Sequence, residues 1–352
     1  MLQPLQPLLV GLAAAGGLGA VAWSWPRAAR FFRLVARERQ TQAELTQVKA
    51  RVAQVGDELF PWSLEELQAK LREQNYFLDS VNTRKLRAYL RLGKPVGLRG
   101  EPGIGKSELA GALSRAMGAR FLDIACHSQL EASEVGISWN AFRQIVDAQT
   151  PRGAADVKPD LYSMEYLNHT PLLESLLSKE PTVIRIDEVD KLNEQTTNFF
   201  LRYLDKKELI IHDLSGGPST LRAEAPLFIF LTSNEYHELD PAFHRRVAWL
   251  DLTFPSAEQL AEILQHTVGV PLDFAARAAK LVCHLRTLRL KKKPSIGEAI
   301  EWVRALVDES DGYLNPAVVD LTLGLLVKHA DDEQLAREAL KTWYEGYGKL
   351  SR

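Results

Sequence analysis

One string constrains this chain more than any other: Gly100-Glu101-Pro102-Gly103-Ile104-Gly105-Lys106-Ser107. It fits the pattern GxxxxGK followed by Ser or Thr in full. The residues before it, 94–99 (KPVGLR), are short, apolar and bounded, as a buried strand is. The residues after it, Glu108 onward (ELAGALSRAM), read as a helix. Each residue type has a chemical reason. Glycines let backbone N–H groups curl around phosphate oxygens. The helix N-terminus adds a positive dipole end. Lys106 is placed to reach the β- and γ-phosphates, and the Ser107 hydroxyl to ligate Mg²⁺. Residues Gly100 to Glu108 are therefore the expected phosphate-binding segment.

Two further strand ends extend the pattern. Residues 181–186 (PTVIRI) read as a strand and run into Asp187-Glu188. In P-loop proteins an acid at such a strand end supports the Mg²⁺, which assigns Asp187 together with Ser107 to the metal. The adjacent Glu188 is placed to take a proton from an attacking water. Two acids in series point to ATP hydrolysis. Arg185 is out of place in an apolar parallel strand, and either snorkels or reaches a subunit interface. The strand Leu227–Ser233 ends in Asn234, whose amide is placed to orient that water. Further on lies Phe243-His244-Arg245-Arg246-Val247, a source of guanidinium for a transferring phosphoryl group, often supplied from another subunit.

Composition sets the limits. The chain has 352 residues, 46% hydrophobic and 25% charged, as ordinary globular proteins do. Net charge is −2, which is not the footprint of a nucleic-acid coat. Cys126 and Cys283 stand far apart, which excludes a disulfide framework and a Cys-rich metal site. His127 beside Cys126 reads as an ordinary residue after a strand, and Trp343, Tyr344 and Tyr347 as helix packing.

The N-terminus is a different material. Residues 7–25 are apolar or small apart from Ser24, and no charge precedes Arg27. A spanning helix needs about 20 such residues. Trp23 and Trp25 stand where interfacial aromatics sit, and Arg27, Arg30, Arg33, Arg37 and Arg39 follow. The expected topology is N-terminus outside and C-terminus in the cytosol. Leu45, Val48, Val52, Val55 and Leu59 then follow 3-4-3-4 spacing. That stripe suits a short coiled-coil stalk or an amphipathic helix lying on the next domain.

Taken together, GEPGIGKSELA, VIRIDEVDK, LTSN and DPAFHRRV resemble the Walker A, Walker B, sensor 1 and arginine-finger segments of the AAA+ ATPases. Within that family the chain is most similar to the MoxR-like branch, of the carbon-monoxide dehydrogenase maturation type. ISWNAFRQIVDAQ and DLYSMEYLNHTPLLESLL resemble that branch's helix-2 insert and the following helix. KKELIIHDLSGGPSTLRAEAPLF is similar to the hairpin before sensor 1, and KKPSIGEAIEWVRAL to the lid's sensor-2 region. The resemblance covers about residues 75–310 and leaves out the N-terminal segments.

The resemblance implies an α/β P-loop core of three αβα layers on a parallel sheet, followed by a helical lid. The expected division is a transmembrane anchor at 1–26, a basic juxtamembrane stalk at 27–60, an ATPase core at 61–255, and a lid with C-terminal helices at 256–352. It implies ATP and Mg²⁺ as ligands, Glu188 as base, Asn234 as water sensor and Arg246 as trans finger, with Arg245 second. Relatives often carry an arginine where this chain has Gly297, and Lys293 or Arg304 stands as a substitute. It further implies hexameric rings and a chaperone role on a protein partner, often a von Willebrand A protein. With the anchor, the ring would work at the cytoplasmic face of a membrane, the bacterial inner membrane in particular. A membrane protease is excluded, because no HExxH string is present. Two alternatives stand beside the chaperone. One is a DNA- or defence-associated motor, with Lys291-Lys292-Lys293 as its basic run. The other is a nucleotide-gated scaffold with slow hydrolysis.

Overall fold

The computed structural model describes residues 41, 44–149, 159–234, 239–309 and 314–350, with side chains described to residue 345. The apolar segment at 7–25 and the arginines at 27–39 lie outside the described residues. Among the described residues, no helix is long and apolar enough to cross a membrane. The chain divides into two compact units, Met1–Glu58 and Leu59–Arg352. In the first, residues 44–58 are helical, and Leu45, Val48, Val52 and Val55 lie exposed along it.

The second unit begins with two capped helices. α1 (Leu64–Glu73) opens on a capping box, in which Ser63 and Glu66 satisfy each other's backbone N–H groups. α2 (Ser80–Arg91) is capped by Asp79, and Asn82 Nδ2 donates to the Asp251 carbonyl. Then come β1 (Val96–Arg99), α3 (Lys106–Met117), β2 (Arg120–Ala125), α4 (Ala132–Val135), α5 (Ala141–Gln149) and α6 (Pro171–Leu177). These lead to β3 (Thr182–Asp187), α7 (Glu194–Lys206) and a hairpin of β4 (Glu208–Ile211) and β5 (Ser219–Arg222). β6 (Leu227–Thr232), α8 (Pro241–Arg246) and β7 (Ala248–Asp251) complete the core.

Five strands form one parallel sheet in the order β2-β3-β6-β1-β7. Their side chains show why it is the middle of three layers. Along β3, Val183 joins one hydrophobic cluster, while Ile184 and Ile186 join another. Along β6, Phe228 and Phe230 face the first cluster, and Ile229 and Leu231 the second. A strand buried on both faces reads as a continuous apolar run, as LFIFLT does. Leu67, Leu86 and Leu109 of α1, α2 and α3 cover one face, and Leu172 and Phe200 of α6 and α7 cover the other.

The C-terminal helices are α9 (Ala257–Val268), α10 (Leu272–Thr287), α11 (Ile296–Glu309), α12 (Pro316–Thr322) and α13 (Ala330–Leu350). They share their own core around the fully buried Trp302, whose indole N–H donates to Thr322 Oγ1 at 3.0 Å. Trp343 and Tyr344 pack against that core. A parallel α/β domain with C-terminal helices is thus what the chain builds.

Candidate functional site

The order β3-β6-β1 decides the site. β6 lies between the strand that carries the P-loop and the strand that carries the acidic pair. All three end on the same edge, because they run parallel. Ligands bind at that edge in open α/β sheets, where the order of strands reverses.

Between β1 and α3 the loop needs three glycines with positive φ: Gly100 (140°), Gly103 (81°) and Gly105 (88°). At Gly103 a side chain is also excluded by contact, since an added Cβ would fall 2.2 Å from Ser295 Cβ. The Lys106 ammonium is buried and donates to the carbonyls of Gly100 at 2.6 Å and Glu101 at 3.1 Å. It is thereby held within the loop that would wrap the phosphates.

A chain of hydrogen bonds then crosses the strand ends. Ser107 Oγ donates to Asp187 Oδ1 at 2.8 Å. The same carboxylate oxygen accepts the Thr232 hydroxyl from β6. Thr232 Oγ1 in turn accepts the backbone N–H of Glu188 at 2.9 Å. Glu188 has φ of 58°, in the left-handed region, a conformation that costs about 1–3 kcal/mol and clusters at functional sites. Its Oε1 accepts from Asn234 Nδ2 at 3.1 Å, and its Oε2 from Lys191 Nζ at 2.6 Å. Hard oxygens from Ser107 and Asp187 within hydrogen-bond distance of each other are the donor set that Mg²⁺ accepts.

Arg185 has a role within the chain. It is the cross-strand partner of Asp123, and its Nε and Nη2 donate to the two carboxylate oxygens at 2.7 and 2.6 Å. Its Nη1 donates to the Ser107 carbonyl at 2.7 Å. The Asp123 hydrogen bond raises the guanidinium's affinity for its proton further, so it stays charged. The cation therefore ties the first turn of α3 to the sheet. Hydrogen bonds to charged groups are worth about 1.5–3 kcal/mol. Arg185→Leu is expected to weaken ATP affinity about tenfold, which is about 1.4 kcal/mol. A nucleotide titration that finds affinity unchanged contradicts this role.

These groups line a cavity of about 840 Å³. Pro102 to Glu108, Arg185, Asp187, Glu188, Thr232 and Asn234 form one side. Tyr76, Phe77, Leu252, Phe254 and Ile263 form an apolar side suited to a flat base. Ser295, Ile296 and Gly297 close it from the C-terminal helices. There the Ile296 N–H donates to the Gly103 carbonyl at 3.0 Å, so these helices touch the P-loop directly.

Several expected residues lie elsewhere. Gly100 and Glu101 shape the loop without lining the cavity. Lys293 pairs with Glu101 at 2.8 Å, and Arg304 is exposed on α11; neither lines the cavity, whereas Gly297 does. Arg245 is exposed, and Arg246 Nη1 bonds the Ala242 carbonyl of its own helix at 3.1 Å. Neither arginine lines the cavity. Cys126 is buried, and its thiol is pushed up to about 12 by burial and by nearby acids, Asp187 first among them.

Residues 95–247 match the model of the AAA domain, dynein-related subfamily. No curated protein matches the chain. Among solved structures, a RuvB mutant of Thermotoga maritima is 17% identical, with 74% of each chain covered and a TM-score of 0.44. The Thermotoga maritima RuvB Holliday junction branch migration motor is 16% identical, with 76% of this chain and 71% of that chain covered and a TM-score of 0.40. The P-loop, the acidic strand end and Asn234 all lie within residues 95–247, the stretch that is similar to the AAA domain of the dynein-related subfamily.

Proposed function

We propose that this protein is an ATP-hydrolysing, MoxR-like chaperone that works as a ring on a partner protein at the cytosolic face of a membrane. The observation that carries hydrolysis is the bonded series Ser107–Asp187–Thr232–Glu188–Asn234. Lys106 and the loop N–H groups hold the phosphates. Ser107 and Asp187 would hold Mg²⁺, which would supply positive charge to the phosphates. Glu188 takes the proton of the attacking water on a carboxylate oxygen, while Asn234 fixes the orientation of that carboxylate.

Charge on the transferring group needs a further cation. Arg246 ends α8, outside the cavity of its own chain, which suits a finger that serves a neighbouring site. Such a finger requires copies arranged head-to-tail, as in a ring. The anchor rests on residues 7–25 and the arginines behind them, and the partner class rests on the MoxR resemblance. The motor reading on DNA draws no support from Lys291, Lys292 and Lys293, each of which is paired with a carboxylate.

The test is affinity capture of membrane-solubilised Glu188→Gln protein with ATP and Mg²⁺, read by mass spectrometry. Recovery of a von Willebrand A protein or a metalloenzyme under assembly supports the chaperone reading; recovery of DNA-processing proteins overturns it. Deleting residues 1–26 is expected to move the protein from the membrane fraction to the soluble fraction. Full-length protein that is already soluble after a high-salt wash contradicts the anchor.

A further inference from the structure

The helix at residues 44–58 carries an exposed apolar stripe. Leu45, Val48, Val52 and Val55 are 50%, 57%, 57% and 58% exposed. Their 3-4-3 spacing keeps them on one face over four successive layers. Scattered exposed apolar residues need no explanation, but an ordered stripe does. We propose that this stripe is a self-association surface, on which copies of this helix pack in parallel and in register, as a bundle of more than two strands.

The charges say why the occupant is a second copy and why it is parallel. With Leu45 and Val52 at a, and Val48 and Val55 at d, Glu44 and Arg51 fall at g, and Lys49 and Gly56 at e. In a parallel pair each g residue faces the e residue of the next heptad on its neighbour. Glu44 then meets Lys49 of the other copy, and the reciprocal pair forms if the bundle closes. Arg51 meets Gly56, which sets no charge against it. An antiparallel pair that overlaps the same four layers places Lys49 against Lys49 and Arg51 against Arg51. The sequence therefore complements itself in one orientation and repels itself in the other. Parallel packing is also what rotational symmetry imposes on copies in a ring.

The strand number follows from the d positions. Valine at both d sites, with leucine at the first a site, is the β-branched pattern that turns preference away from two strands and toward three or more. Two heptads are too short to hold copies together from dilute solution. A ring, or an anchor in a common membrane, raises the local concentration to the millimolar range and removes that barrier. To that extent the inference rests on the ring proposed above.

The test uses the full-length chain in membranes, with Cys283→Ser so that the buried Cys126 is the only native thiol left. Single substitutions Val52→Cys, at an a position, and Ala50→Cys, at the outward f position, are oxidised and run without reductant. The expected result is a cross-linked dimer of chains at Val52→Cys, with yield at least about tenfold above Ala50→Cys. Adding Val48→Asp to Val52→Cys is expected to return the yield to the Ala50→Cys level. Equal yields at 50 and 52, or none at 52, overturn the proposal. Mass photometry of the solubilised protein reports the ring separately: cross-linking at 52 without rings leaves the stalk inference standing and removes the ring, while rings without cross-linking do the reverse.

Discussion

Glu188→Gln is expected to lower ATP turnover by about 10²–10⁴-fold and to leave ATP affinity within about twofold. Glutamine keeps the shape of the side chain and an oxygen that can accept from Asn234, as Glu188 Oε1 now does at 3.1 Å. It loses the basicity that takes a proton from water. The phosphate-holding groups, Lys106 and Ser107, are held by the loop carbonyls and by Asp187. Binding and hydrolysis should therefore separate. Steady-state turnover and nucleotide titration on the same preparation check this. A variant that turns over within tenfold of the parent removes Glu188 as the base.

Arg246→Ala is expected to cost about 10³–10⁵ in turnover, the range for arginine fingers, without loss of ATP binding. Its effect should appear only in the assembled protein. The side chain leaves the end of α8 and bonds back to Ala242, and it does not line the cavity of its own chain. Arg245→Ala, at the exposed neighbour, is expected to have the smaller effect. Loss of nucleotide affinity at Arg246→Ala, measured on protein that still folds, would assign the residue a role within its own chain instead.

Legibility differed by residue for physical reasons. Gly103, Gly105, Lys106, Ser107, Asp187, Glu188 and Asn234 stand out in the sequence because phosphate chemistry uses those types at those spacings, and the structure places them around one cavity. Thr232 was not singled out. Its hydroxyl matters only because β6 is inserted between β1 and β3, and sheet order is not written in local sequence. Arg185 stands out in an apolar strand, but local sequence does not show its partner within the chain. That partner comes from the register that puts Asp123 opposite it on β2. Tyr76 and Phe77 precede the P-loop by some 25–30 residues, with no motif to mark them, and join the cavity by the fold alone. The proposed lid cation is a further case. Lys293 does reach the P-loop region, but through Glu101 on its outer side. What faces the cavity is Gly297, so contact between the C-terminal helices and the loop runs through Ile296 and Gly103 backbone.

If each site is completed by a neighbouring copy, two inactive variants should restore each other on mixing. Glu188→Gln has a dead site and an intact finger; Arg246→Ala has an intact site and no finger. Each alone is expected to be inactive. In randomly mixed rings about a quarter of interfaces pair a sound site with a sound finger, because each contact is head-to-tail. ATPase activity of about a quarter of the parent's, appearing on mixing, is the predicted result. Co-assembled mixtures that stay inactive would show that no finger comes from the neighbouring copy.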